Sequence, residues 1–321
     1  MKKKQHFVPQ CYLKNFAAQG KKIFVFDKIN SKSYSANIKD ISQESYFNDF
    51  PDAFLPEELR DQEKSQVIED ELSKVETRFG EFLKLIISVL EKIEKNNLFD
   101  SLGVLDQAAK KNFSAFLTLQ FARTKKAREQ NRSILQDLDA LIKKWNQVLP
   151  NHDNIPKWDF PKPAGGAYSI KLEYGEDLLK VGIEEDSIAQ HLIWISDIIV
   201  QVHDSEIYKT LSNHIWLFGI NSTSIPLWTS DNPIVINNPI VIKKHEDLGI
   251  GLASKGVQVV YPISPKYLLI MFEPSFWSEL KHLDGMSAIL SENYVKLYNQ
   301  LQLTQCYRQT YSNENNFEQL C

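Results

Sequence analysis

Apolar residues between positions 57 and 96 recur by threes and fours: Ile68, Leu72, Val75, Phe79, Phe82, Ile86, Val89 and Ile93. At 3.6 residues per turn this spacing lines one face of a helix, so the stretch predicts a long amphipathic helix packed on others. A second stripe, Phe113, Phe116 and Leu117 followed by Ile134, Leu138, Leu141 and Trp145, predicts one helix over 105–145. A third helix, over 184–208, would bury Ile188, His191, Leu192, Ile195, Ile198, Ile199 and Val202. The final third changes period. Segments 215–220, 227–229, 234–236, 257–263 and 267–272 are short, β-branched and aromatic, and turn residues separate them, as strands require. Segment 22–27 reads the same way and would pair with 31–36 as a hairpin. Segment 38–46 reads as a connector, with Pro51 and Pro56 marking a loop after it. Residues 287–306 read as a closing helix with Tyr294, Val295, Tyr298 and Leu301 on one side and Asn299 beside them; the polar tail 309–321 is expected to fray.

Helical periods are thus segregated from strand periods, and the expected class is α+β: an antiparallel sheet packed on a bundle of long helices. Residues 1–321 are expected to form a single domain, the helical part (about 57–210) inserted between the N-terminal hairpin and the C-terminal strands. Residues 146–182, rich in proline, glycine and aromatics, predict a long connection, a lid or partner-facing loop. Its Gly165-Gly166 pair lacks the Lys-Ser/Thr of a phosphate loop.

Polar residues that interrupt these patterns are the candidates for chemistry. His6 sits among Phe7, Tyr12, Leu13 and Phe16, three residues before the proline that ends His-Phe-Val-Pro. Gln120 follows Phe116 and Leu117 by four and three residues, and Arg123 and Thr124 follow Gln120 by three and four, so helical geometry points them inward. An unpaired buried arginine is very costly, so Arg123 calls for a carboxylate, either Glu71 or Glu76, which flank the first stripe. These glutamates are otherwise solvated helix surface. Asp231, before Asn232-Pro233 at a strand end, is either scaffold-held for a cleft or the start of an Asx-type turn. His191 on an apolar face is a hydrogen-bonded core histidine or a ligand. The candidate set is therefore His6 for proton transfer, Arg123 as anion clamp and Asp231 as the orienting or metal-holding carboxylate, predicted to line one cavity. Glu71, Glu76, Gln120, Thr124 and Asn299 are candidate binding residues.

Five motifs carry a resemblance. His-Phe-Val-Pro-x-x-Tyr-Leu-x-x-Phe at 6–16, Gln-Phe-Ala-Arg-Thr at 120–124, Thr-Ser-Asp-Asn-Pro at 229–233, Pro-Ile-Ser-Pro at 262–265 and Val-Lys-Leu-Tyr-Asn at 295–299 occur in this order. The ordered set resembles a bacterial domain-of-unknown-function family, DUF 4238, over essentially the whole chain. The resemblance implies an intracellular bacterial protein of one architecture and brings no established activity.

Composition narrows function by exclusion. The formal charge of −4 shows no global polybasic surface. Three cysteines, Cys11, Cys306 and Cys321, are sparse and lack metal spacing, which fits a reducing cytoplasm and argues against a disulfide framework or zinc site. Three lysines lead the chain without the apolar run of a signal peptide, and no segment approaches a membrane span. Gly-x-Ser-x-Gly, Walker, His-Glu-x-x-His and Cys-x-x-Cys signatures are missing, and the sequence names no cofactor. The expectation is a hydrolase or nuclease-like effector acting on a nucleotide or nucleic acid. The alternative is a non-catalytic module that binds a ligand or partner.

Overall fold

The computed structural model describes residues 2–18, 21–50, 66–99, 101–148, 170–175, 178–183, 187–240 and 251–317. In chain order the elements are β1 (Lys4–His6), α1 (Gln10–Leu13), β2 (Lys22–Asp27), β3 (Lys32–Asn37), β4 (Gln43–Ser45), α2 (Val67–Lys95), α3 (Gln107–Ala122), α4 (Lys125–Val148), β5 (Ile170–Gly175), β6 (Leu178–Ile183), α5 (Ser187–Val200), α6 (Glu206–Asn213), β7 (Ile215–Asn221), β8 (Thr229–Ser230), β9 (Val235–Asn237), β10 (Gln258–Pro262), β11 (Tyr267–Phe272), β12 (Ser287–Leu290), α7 (Glu292–Gln305) and β13 (Gln309–Ser312). The class is α+β.

The central sheet has the order β12-β7-β11-β10-β9. Its pairs are antiparallel except β12 with β7, which is parallel, so the sheet is mixed rather than wholly antiparallel. Both faces are covered. Tyr261, Leu269 and Met271 pack with Phe79, Leu83 and Ile86 of α2 and Phe113 and Leu117 of α3. Val260, Leu268, Ile270 and Phe272 pack with Val295 and Tyr298 of α7. Burial on two sides explains why β11 reads Tyr-Leu-Leu-Ile-Met-Phe without alternation. A second sheet has the order β3-β2-β13-β8 and is antiparallel. The Pro262-to-Pro265 turn joins β10 to β11, closed by hydrogen bonds between Ser264 and Tyr267.

Six boundaries differ from the sequence reading; one is the helix expected over 184–208, which ends at Val200 and, after a short 3₁₀ turn at Val202–Asp204, gives way to α6. The helix predicted over 105–145 breaks at Arg123-Thr124, because the Thr124 hydroxyl accepts from the Ala127 amide, 3.1 Å, and starts α4 afresh. The break resets the helical phase: Leu135 is buried and Ile134 is exposed, as is Ile188 near the start of α5. The closing helix is preceded by β12, since Ser287–Leu290 finds a free edge on β7. The tail predicted to fray contains β13, which sits between β2 and β8 with Thr310, Tyr311 and Ser312 buried. The connector 38–46 contains β4, which pairs with β1. Within the predicted long connection, β5 and β6 form an antiparallel hairpin. The prolines and Gly165-Gly166 of that stretch, Pro51 and Pro56, positions 57–65, and the side chains of Leu138, Leu141 and Trp145 lie outside the described residues.

Candidate functional site

The N-terminal segment forms a ribbon, β1 against β4, with His6 opposite Gln43. Cations from the end of α3 and the start of α4 clamp it. Arg123 Nη2 donates to the His6 carbonyl and, at 2.8 Å, to Glu76 of α2. Lys125 pairs with Glu44, and Arg128 Nη2 donates to the Phe47 carbonyl at 2.6 Å. Gln120 Nε2 donates to the Phe7 carbonyl, 3.3 Å. The side chain of Arg123 is 4% exposed and that of Glu76 26%. Glu71 does not meet Arg123; it lies on the outer face of α2, paired with Lys74.

His6 is buried, and burial pulls its pKa below the ordinary imidazole value, with Glu76 opposing and Arg123 assisting. It is neutral at pH 7, with Nδ1 3.5 Å from Gln10 Nε2. Burial likewise pushes the Cys11 thiol up to about 11, and Glu76 adds to the shift, so Cys11 is no thiolate. Arg123 and Glu76 cancel, and this centre carries no net positive charge to attract a phosphate.

Asp231 has another task. Its Oδ1 accepts from the Tyr307 amide at 2.7 Å, and its Oδ2 accepts from the amides of Arg308 and Gln309 at 2.8 Å each. The carboxylate therefore fixes the passage from α7 into β13 rather than bonding its own Asx turn. Two cations cover the same helix end: Lys28 Nζ donates to the Cys306 carbonyl and Lys126 Nζ to that of Gln305, 2.8 Å. Burial pushes the Asp231 carboxyl up to about 6 against the downward pull of the three amides. Asn299 is also fully engaged, accepting from the Trp228 amide, 2.8 Å, and donating to the Pro226 carbonyl, 2.9 Å. Three residues on, Gln302 donates to the Pro233 carbonyl and accepts from the Ser230 hydroxyl, and Gln305 accepts from the Ile236 amide and donates to its carbonyl. This amide ladder on α7 adds to the strand pairing of β8 with β13 and of β9 with β10 and holds the turn between them.

The structure thus joins the five motifs by direct hydrogen bonds and packing. Tyr12 Oη bonds Thr229 Oγ1, 2.6 Å, and the Pro262 carbonyl, 2.7 Å. Arg123 and Gln120 hold the His6-Phe7 backbone, and Thr124 Oγ1 lies 3.5 Å from Asn232 Oδ1. Their convergence is a set of fasteners. His6, Arg123 and Glu76 come together, whereas Asp231, Asn299 and Glu71 make their bonds elsewhere.

A cavity of about 560 Å³ opens where the N-terminal end of α3 meets α6, lined by Gln107, Lys110, Lys111, Lys209, Thr210, Ser212 and Asn213. Lys110 is buried. Its Nζ donates to the His214 carbonyl, 2.7 Å, and to both Asp284 oxygens, 2.9 Å each, 5.5 Å above the Trp216 ring. Lys111 is exposed, and Lys209 pairs with Glu206 across one turn. The sequence reading missed Lys110, although it lies three residues before Phe113 on the inward stripe, the same signal that marked Arg123. Among the described residues no cluster of histidine, cysteine and carboxylate side chains could hold a metal ion.

The fold and this site define an α+β protein with a clamped N-terminal ribbon and a lysine-lined cavity. The chain belongs to the family described as "Protein of unknown function (DUF4238)", which matches residues 4–316. No curated protein and no solved structure matches it. Among the described residues no helix is long and apolar enough to cross a membrane.

Proposed function

We propose that this protein is a non-catalytic recognition module for a phosphate-bearing ligand, a mononucleotide rather than a nucleic acid duplex. The observation that carries the reading is the cavity between α3 and α6. Three lysines, two hydroxyls and two carboxamides line it, with no carboxylate or imidazole among the lining side chains; Lys110 is held by Asp284 and the His214 carbonyl, so exposed Lys111 and Lys209, the latter in a solvent-exposed pair with Glu206, are the ammonium groups that face a ligand. Ammonium groups and hydroxyls suit phosphate oxygens. The volume falls within the roughly 300–1,000 Å³ of small-molecule sites. A formal charge of −4 disfavours a duplex, which needs a broad basic surface. No imidazole or carboxylate lines the cavity to take a proton at neutral pH, which supports binding without turnover.

The hydrolytic reading of His6, Arg123 and Asp231 needs all three groups free to meet a substrate. Arg123 is neutralised by Glu76, and Asp231 is bonded to three backbone amides. The cysteine usage supports placing the protein in a bacterial cytoplasm. The test is calorimetric titration with AMP, GMP, CMP, UMP and inorganic phosphate, with products followed by chromatography. Saturable binding without product is expected, weakened at least about tenfold in the Lys111→Ala/Lys209→Ala double variant. Binding unchanged by the double variant would remove the cavity from the reading, and nucleotide turnover abolished by His6→Ala would restore the hydrolase.

A further inference from the structure

A second polar cluster lies between α4 and α5. Arg128 and Asn131, three residues apart on α4, face His191 and Trp194, three apart on α5. Asn131 Nδ2 lies 3.1 Å from His191 Nδ1, and the His191 and Trp194 rings meet edge-on with centroids 5.6 Å apart. Arg128, His191 and Trp194 are each more than nine-tenths buried. Each carries a nitrogen without a hydrogen-bond partner among the described residues: Arg128 Nε, His191 Nε2 and Trp194 Nε1.

All three nitrogens are donors. Arginine Nε and indole Nε1 always carry hydrogen. With Asn131 donating to Nδ1, the neutral imidazole must hold its proton on Nε2. Neutrality follows from burial, which pulls His191 down to about 3, with Arg128 adding to the shift. Among the described residues Arg128 also lacks a counterion. Its Nη2 is bonded to the Phe47 carbonyl and its guanidinium stacks 3.5 Å from the Phe47 ring centroid. The carboxylates whose charge it feels are Glu44 and Glu129. Glu44 is paired with Lys125, and Glu129 lies 3.6 Å from Arg132.

Three donors with no acceptor among them suit a water poorly. A water accepts at most two hydrogen bonds and brings two hydrogens of its own that need acceptors. An anion with several oxygens accepts all three and also offsets the buried charge. We propose that Arg128, His191 and Trp194 form a binding site for a small oxyanion, a sulfate or a phosphate group. The site is separate from the lysine-lined cavity and does not rest on that reading.

Titration with sodium sulfate, followed by thermal melting and calorimetry at constant ionic strength set with chloride, tests it. Sulfate is expected to raise the melting temperature saturably where chloride does not. Trp194→Phe, which keeps a ring and removes the donor, should weaken sulfate about tenfold, the loss of one charge-assisted hydrogen bond. The titration is repeated in the Lys111→Ala/Lys209→Ala background, where saturable sulfate binding should persist without any contribution from the α3–α6 cavity; its disappearance there would overturn the assignment. Should Trp194→Phe fail to fold, the wild-type Trp194 indole N–H proton resonance provides the readout, moving downfield as sulfate binds. Equal effects of chloride and sulfate, unaltered affinity in Trp194→Phe, or a stationary indole resonance would overturn the assignment.

Discussion

Replacing Arg123 by methionine removes the guanidinium and keeps most of the stem's volume. Two losses follow. Glu76 loses its ion pair, and the buried His6 carbonyl loses a donor. Breaking a buried pair costs about 3–5 kcal/mol. Glu76, with its side chain 26% exposed, can regain water, so the lower end of that range applies. An unsatisfied buried carbonyl costs about 1–3 kcal/mol. The expected total is about 4 kcal/mol. Glu76→Gln leaves a neutral acceptor beside a guanidinium that cannot deprotonate, and about 2 kcal/mol is expected from the lost charge assistance. With both changes the pair is gone but no charge is stranded, so the double variant should cost about 2 kcal/mol less than the sum of the singles. Urea unfolding followed by tryptophan fluorescence measures all three. Because the pair is buried, the coupling should persist between 0.05 and 0.5 M salt, concentrations that span Debye lengths of roughly 14 to 4 Å. A cost below about 0.5 kcal/mol for Arg123→Met, or singles that add within about 0.5 kcal/mol, would refute the claim that this residue locks the N-terminal ribbon.

Two further outcomes concern buried titrating groups. His191 has a folded pKa of about 3, below the ordinary 6.5, so its contribution is fully present above pH 6.5 and lost as pH falls toward 3. Wild type should lose about 3 kcal/mol from this residue between pH 6.5 and 4, and His191→Phe, measured by denaturant midpoints across that window, should lack this part of the slope. Asp231 runs the other way: its folded pKa of about 6 exceeds the unfolded value near 4, so its stabilisation is full below pH 4 and falls as pH rises through 6. Asp231→Ala strands three backbone amides and should destabilise most at pH 4, the gap to wild type narrowing by about 2 kcal/mol at pH 7; a pH-independent gap would contradict the burial argument.

Periodicity alone established the α+β class, the stripe of α2, the strands β7, β10 and β11, and the inward placement of Arg123, because these are local consequences of spacing and burial. The sequence narrowed Arg123's partner to two glutamates on one helix, and helix phase with tertiary packing chose Glu76 over Glu71. β12, β13 and β4 escaped the reading because short, partly polar strands exist only where distant edges accept them, on β7, on β2 and β8, and on β1. The helix break at Thr124 went unseen because threonine reads as tolerable mid-helix until its hydroxyl caps the next turn. Asp231 and Asn299 looked like site residues because each is a polar group in an apolar or turn setting. The same signal describes a side chain that bonds backbone from a distant segment, and only the tertiary structure brings Tyr307, Arg308 and Gln309 to the one and Trp228 and Pro226 to the other. The lysine-lined cavity and the α4–α5 cluster lie at the opposite extreme. Their residues are ordinary in sequence, and packing α3 on α6 and α4 on α5 is what sets their charges and donors together.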